Sequence, residues 1–231
     1  MTTMTTEPTI HVYDNLEQGT EEWFAVRRGM VTASVVGSLV TPTLKVAANE
    51  TSRTLTALLV AERITGWTDP TYTSDDMMRG RYDEVLARDL YSKTYAPVTE
   101  VGFIVRDDQG VQIGYSPDGL VGDDGLIENK SRRAKKHIAT ILADQVPAEN
   151  MAQIQCGLLV TGREWCDYLS YCGGLPMWRK RVYPDPAWHA AIISAVQAFE
   201  ANAAEMTAAY LTAVEGLPTT ERIAYDIGIE F

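Results

Sequence analysis

The spacing of apolar and polar positions divides the chain into a helical beginning, a stretch of strands and a helical end. Thr51 to Ile64 and Asp75 to Tyr91 repeat apolar residues every three to four positions, which predicts two amphipathic helices with Gly66, Asp69 and Pro70 punctuating the gap. Shorter helices are predicted at Glu21 to Arg28 and Ala33 to Val40, separated by Gly29, with Thr32 or Ser34 placed to cap the second. Past Pro97 the pattern becomes that of strands. Val98 to Arg106, Val111 to Tyr115 and Leu126 to Lys130 read as a meander, and Gly-Asp-Asp-Gly at 122–125 is a turn signal that makes the last two a predicted hairpin. Glu149 to Val160 returns to helix, Tyr168 to Tyr171 and Met177 to Tyr183 supply two more strands, and Ala187 to Val214 is a long alanine-rich helix. This order predicts an α/β (α+β) protein with a central mixed sheet flanked by helices. Without repeats or linkers, 1–231 reads as one domain, with about 1–9 and 215–231 as peripheral tails.

Length and composition agree with that reading. A chain of 231 residues lies at the upper end of one domain and can bury roughly 70–75% of its unfolded surface in a single core. No run of eighteen apolar residues appears, and Met-Thr-Thr-Met-Thr-Thr-Glu-Pro lacks the regions of a signal peptide, so a soluble cytoplasmic protein with no membrane partner is expected. Cys156, Cys166 and Cys172 match no tight zinc spacing and read as buried thiols. His11, His137 and His189 are scattered, and there is no phosphate-binding Gly-x-x-x-x-Gly-Lys loop. The net charge of −11 argues against a protein that coats DNA nonspecifically, because phosphate neutralisation dominates such affinity. Charge is uneven, however. Lys-Ser-Arg-Arg-Ala-Lys-Lys at 130–136 holds five cations in seven residues, which reads either as a solvated face or as a phosphate contact.

The candidate chemistry sits just before that run. Alternation along the predicted strand puts Glu128 and Lys130 on one face, and Pro117 ends the preceding strand so that Asp118 can turn toward them. Two carboxylates about 4 Å apart repel by roughly 4 kcal/mol at an effective dielectric of 20, so a bare pair tends to bind a proton or a cation. Oxygen ligands favour Mg²⁺, or Mn²⁺, and an ammonium one strand period away can orient water or offset charge in a phosphoryl transition state. A hairpin bearing a solvated Glu/Lys pair has the same spacing.

Five ordered blocks narrow the choice. Gln18-Gly19-Thr20-Glu21-Glu22-Trp23 with Arg27, Gly29 and Thr32-Ala33-Ser34; Gly80 with Glu84; Ser116-Pro117-Asp118-Gly119-Leu120; Glu128-x-Lys130; and Met151-Ala152-Gln153-Ile154-Gln155 together resemble the lambda exonuclease or YqaJ-like family of phage recombination nucleases, in the PD-(D/E)xK superfamily. The resemblance implies a restriction-endonuclease-like core and a Mg²⁺-dependent 5′→3′ exonuclease that digests one strand of duplex DNA from its ends. It implies that Asp118, Glu128 and the carbonyl of Asn129 bind metal, that Lys130 with Gln153 positions the water, and that Glu84, otherwise a plain helix glutamate, assists. The Arg27 fork with the Ser34 hydroxyl near a helix N-terminus makes an anion site, and relatives hold the 5′-terminal phosphate there. Met77 and Met78 stand where relatives wedge the terminal base pair, although core packing accounts for them equally well. A ring-shaped homotrimer and a single-strand annealing protein are the implied partners. Two departures, Asn129 between the acid and the lysine and Arg132 after it, bear on local packing rather than on ligands. The rival readings are a single-strand or structure-selective nuclease of the same superfamily and a non-catalytic recombination adaptor.

Overall fold

Side-chain caps set most of the helix starts. In this computed structural model, which describes residues 7–69 and 74–222, β1 (Thr9–Tyr13) precedes α1 (Glu21–Arg27), whose first turn is capped by the Thr20 hydroxyl and carries Glu21 and Glu22 against the helix dipole. After β2 (Val31–Thr32), α2 (Glu50–Thr65) opens on a reciprocal capping box between Asn49 and Ser52 and stops at Gly66, whose φ of 60° is the left-handed conformation glycine tolerates. Ser74 caps α3 (Asp75–Thr94). The strands follow as β3 (Val98–Thr99), β4 (Phe103–Asp108), β5 (Val111–Tyr115), β6 (Gly119–Val121) and β7 (Gly125–Ser131). Two helices, α4 (Ala134–Ala143) and α5 (Ala148–Thr161), lead to β8 (Trp165–Tyr171), β9 (Trp178–Val182) and α6 (Pro186–Ala213), the last started by the Asp185 side chain and Pro186.

The strands form two mixed sheets, ordered β1-β4-β5-β2 and β3-β6-β7-β8-β9. Only β2–β5 and β7–β8 are parallel; the latter pair is joined through α4 and α5, as a parallel connection requires. Helix α5 packs on both sheets and on α6, so the main core gathers Tyr115, Leu126, Ile154, Leu158, Tyr168 and Phe199. On the other face of β7, α3 closes a smaller cluster of Tyr91, Val121, Ile127, Trp165 and Leu169. A strand buried on both faces results, and it carries the acid and lysine singled out above.

Several expected elements are displaced. Val111–Tyr115 does not pair with the 126–130 strand; it pairs with β4, and the 122–125 turn joins β7 to the three-residue β6. Pro117 is the reason, because it separates β5 from β6 and sends them to different sheets. The stretch from Val98 to Arg106 splits into β3 and β4. Ala33 to Val40 contains only a 3₁₀ turn over Val36–Ser38 with no side-chain cap, and the Thr32 and Ser34 hydroxyls pair with each other at 3.0 Å. Strand β1, starting at Thr9, and helix α4 were not anticipated. Pro70 and residues 223–231 lie outside the described residues.

Candidate active site

Glu128 has no exposed surface, and a buried carboxylate must be partnered. Its Oε1 accepts a hydrogen bond from Lys130 Nζ at 2.7 Å and its Oε2 one from the Tyr115 hydroxyl at 3.1 Å. Lys130 Nζ also donates to Gln153 Oε1 at 3.0 Å, so β5, β7 and α5 converge on one acid. Gln155 serves elsewhere: its Nε2 donates to the Tyr183 carbonyl and its Oε1 accepts from the Asp185 amide, fastening the turn between β9 and α6.

Asp118 enters from the end of β6. The β6–β7 ladder stops at the Gly119–Ile127 pair, and beyond it the Asp118 carboxylate substitutes for a strand, its Oδ2 accepting from the Asn129 amide at 2.6 Å. Within a strand residue the N–H and C=O point the same way, so the Asn129 carbonyl faces the same gap beside Asp118. Arg88 on α3 donates to the Asp118 backbone carbonyl at 2.9 Å and to the Glu84 carboxylate at 3.4 Å, which draws Glu84 toward the two strand acids.

The electrostatics show what this grouping lacks. Burial pushes the Asp118 carboxyl well above the usual range, and the charges of Glu128 and Glu84 add to the rise. Glu84 is raised too, first by burial, with Arg88 opposing and Glu128 and Glu100 reinforcing. Burial alone would lower the Lys130 ammonium, but Glu128 and Asp118 outweigh it and leave the group raised. Three carboxylates therefore face one lysine and favour a proton or an added cation. Among the described residues no three His, Cys, Asp or Glu side chains form a closed coordination shell. The donor set is instead two carboxylates and a backbone carbonyl, which suits a small hard cation that keeps several of its waters.

The acids open into a cleft of about 860 Å³ floored by β7. Gln18, Trp23 and Phe24 line one wall with Trp67, Thr68 and Asp69; α3 supplies Met77, Gly80, Arg81 and Glu84 on the other. Arg27 and Ser34 do not line this cleft. The Arg27 guanidinium lies behind the wall, 4.0 Å from the Trp23 ring centroid, and donates to the Ser116 hydroxyl at 3.3 Å. Its pKa falls to about 10 through burial, with Glu62 opposing. Ser34 is exposed and bonded to Thr32, so the structure does not join it to Arg27, and no α-helix starts beside it.

The basic run is largely engaged by the protein. Arg132 donates inward to Asn150 and the Tyr168 hydroxyl, Arg133 pairs with Asp76, and Lys136 pairs with Glu149. Cys156 and Cys166 are buried free thiols, the former pushed up to about 12 by burial, and Cys172 is half-buried. Sequence reasoning missed Tyr115 and Arg88. The signals were weak ones: Arg88 lies four residues after Glu84 on one helix, and Tyr115 ends an apolar strand with a hydroxyl that burial obliges to find a partner.

Comparison with known proteins gives the family and the fold. The model of the YqaJ-like viral recombinase domain matches residues 22–164. An alkaline exonuclease from Laribacter hongkongensis, LHK-Exo, is 35% identical, with a TM-score of 0.77 over 86% of this chain and 100% of that one. Its structure in complex with dAMP matches at 36% identity and a TM-score of 0.75, over 86% of this chain and 100% of that one. A phage-related exonuclease from Haemophilus somnus 129PT shares the fold at 12% identity and a TM-score of 0.62, over 78% of this chain and 96% of that one. No curated protein matches. The family model spans more than half of the chain, and the chain belongs to the YqaJ-like viral recombinase family.

Proposed function

We propose that the protein is a Mg²⁺-dependent exonuclease that digests one strand of duplex DNA in the 5′→3′ direction from its ends, in phage-type homologous recombination. The observation that carries this reading is the buried Asp118–Glu128–Lys130 group on the floor of an open cleft, in a chain 35% identical to an alkaline exonuclease. That relative's complex with dAMP supports a site of this shape that accepts a nucleoside monophosphate.

Asp118, Glu128 and the Asn129 carbonyl would hold Mg²⁺, or Mn²⁺, and such an ion supplies a more acidic water and neutralises phosphate charge when bound. Lys130 is steered by Glu128 and Gln153, and its remaining N–H can donate to the attacking water or to the developing charge on the phosphate. Glu84, kept half-buried by Arg88, is placed to accept a hydrogen bond from a water in the cleft. Arg27 is the proposed 5′-phosphate holder, with Ser34 assigned by the family resemblance alone; Arg27 backs Trp23 on the cleft wall, and its guanidinium would give up the Ser116 hydroxyl to take a phosphate. Two partners complete the reading: a single-strand annealing protein to take up the exposed strand, and two further copies of the chain in a ring that retains DNA without ATP.

Digestion of an end-labelled, 5′-phosphorylated blunt duplex with Mg²⁺ tests the reading. Asp118→Ala, Glu128→Ala and Lys130→Ala should each lose about 10²–10³ in rate or more while remaining folded. Arg27→Ala should lose roughly ten- to a hundredfold on phosphorylated ends and nothing on 5′-hydroxyl ends, since a charge-assisted contact matters only when its partner is present. Full activity in Glu128→Ala refutes the site; release of label from the 3′ end refutes the polarity.

A further inference from the structure

The cleft wall opposite α3 carries an aromatic surface that the carboxylate chemistry does not use. Gly66 turns the chain out of α2, and Trp67 follows it into the cleft lining with Thr68 and Asp69. Two hydrogen bonds hold the segment. The Trp67 amide donates to Thr65 Oγ1 at 3.3 Å, and Thr68 Oγ1 accepts from Arg28 Nε at 3.4 Å, itself tied to Glu21 at 2.7 Å. The indole is thus a half-buried plate on a segment that Thr68 ties to Arg28 at the end of α1, and it lines the same cleft as Trp23 and Phe24. The Arg222 guanidinium lies over its ring, with Cζ 5.1 Å from the centroid. Helix α6 ends at Ala213, so the chain after it returns to the cleft mouth to place this cation.

We propose that Trp67 is a stacking platform for an unpaired base of the strand in the cleft, and that Arg222 covers the ring in the free protein until that base displaces it. Every base has a π-face, so a plate of this kind holds single-stranded DNA without reading sequence. A cation over a partly exposed ring is held more weakly than a stacked base, so the exchange runs toward DNA. The stretch from Val214 to Arg222 then acts as a competitor at the mouth of the cleft. This inference rests on the exonuclease reading and adds to it the group that grips the strand away from the scissile bond.

Binding in EDTA, where hydrolysis is blocked, separates the two. The probe is a labelled duplex with a short unpaired end, with or without abasic sites in that end. For the wild type, abasic sites should weaken binding roughly five- to a hundredfold. Trp67→Ala should bind the intact probe as weakly and show no further loss with abasic sites, whereas Trp67→Phe should keep most of the affinity and confirm that the wall is folded. Arg222→Ala should bind the intact probe a few-fold more tightly. An undiminished abasic penalty in Trp67→Ala overturns the platform, and weaker binding by Arg222→Ala overturns the cover. If the wild type digests duplex DNA while Trp67→Ala binds and digests alike, this inference alone falls; if the wild type does neither, the exonuclease reading falls with it.

Discussion

Glu128 is held by a lysine on one oxygen and a tyrosine on the other, and the tyrosine is the more easily tested. Removing the hydroxyl in Tyr115→Phe keeps the buried ring, so the core should survive while Oε2 loses its donor. Groups that orient ligands in this way typically contribute 10–100-fold to metal affinity or activity. A Mg²⁺ titration of the hydrolysis rate should therefore shift to higher concentration by about that factor, and an unchanged titration would show that Lys130 alone orients the acid. Glu128, Lys130 and Asp118 are legible in the sequence as one group, because a period of two and a glycine-flanked turn fix which side chains share a face. Tyr115 and Arg88 were not, because their partners come from elements that only tertiary packing brings together. Asn129 belongs to neither group. Its Oδ1 is buried without a hydrogen-bond partner among the described residues, and its amide is the group that bonds Asp118.

Among the elements, the capped long helices are the most legible: α2, α3 and α6 each begin within one residue of the expected start, because caps and a 3.6-residue period are local signals. Strand partners were read worst. Strand β6 has three residues, too few to show alternation, and α4 opens at Arg133 without a capping side chain, which hides its start in the basic run. What joins β8 and β9 was invisible from spacing. Asp167 is fully buried and accepts from Tyr91 at 2.7 Å, from Arg179 at 2.9 Å and from Arg181 at 2.8 Å. Burial would raise this carboxyl, but hydrogen bonds from Arg181 and Tyr91 and the two arginine charges hold it below the usual range. A depressed folded pKa contributes stability above the unfolded value of about 3.9 that is lost as pH falls through the folded one. Asp167→Asn should cost about 1.5–3 kcal/mol near pH 7, where it removes the charge partner of two partly exposed arginines, and progressively less below about pH 4. Denaturant melts across that range check it; a penalty that does not change with pH would assign the loss to packing.

At the scale of the whole molecule, a net charge of −11 coexists with a proposed DNA cleft because the cations near the floor are held in ion pairs and the aromatic wall supplies contact without charge. The outer side of α3 is a different surface. Met78, Tyr82, Leu86 and Leu90 recur every four residues, with Tyr82 75% exposed, and such a stripe next to a cleft wall suits a seam between copies. If the ring forms there, the wild type should sediment near three times its 25.5 kDa chain mass, and Tyr82→Asp with Leu86→Asp should sediment as one chain that still cuts but releases DNA early. A wild type that sediments as one chain at micromolar concentration excludes the ring. The parallel pairing of β7 with β8 has a consequence in the order of synthesis. The strand bearing Glu128 and Lys130 meets its second neighbour only when Trp165–Tyr171 has been made, and Asp167 within that neighbour waits for Arg179 and Arg181. Long-range pairing of this kind forms late. An emerging chain therefore possesses both cleft walls well before it possesses a rigid floor, and the ability to cut DNA waits until the chain has been made through Arg181.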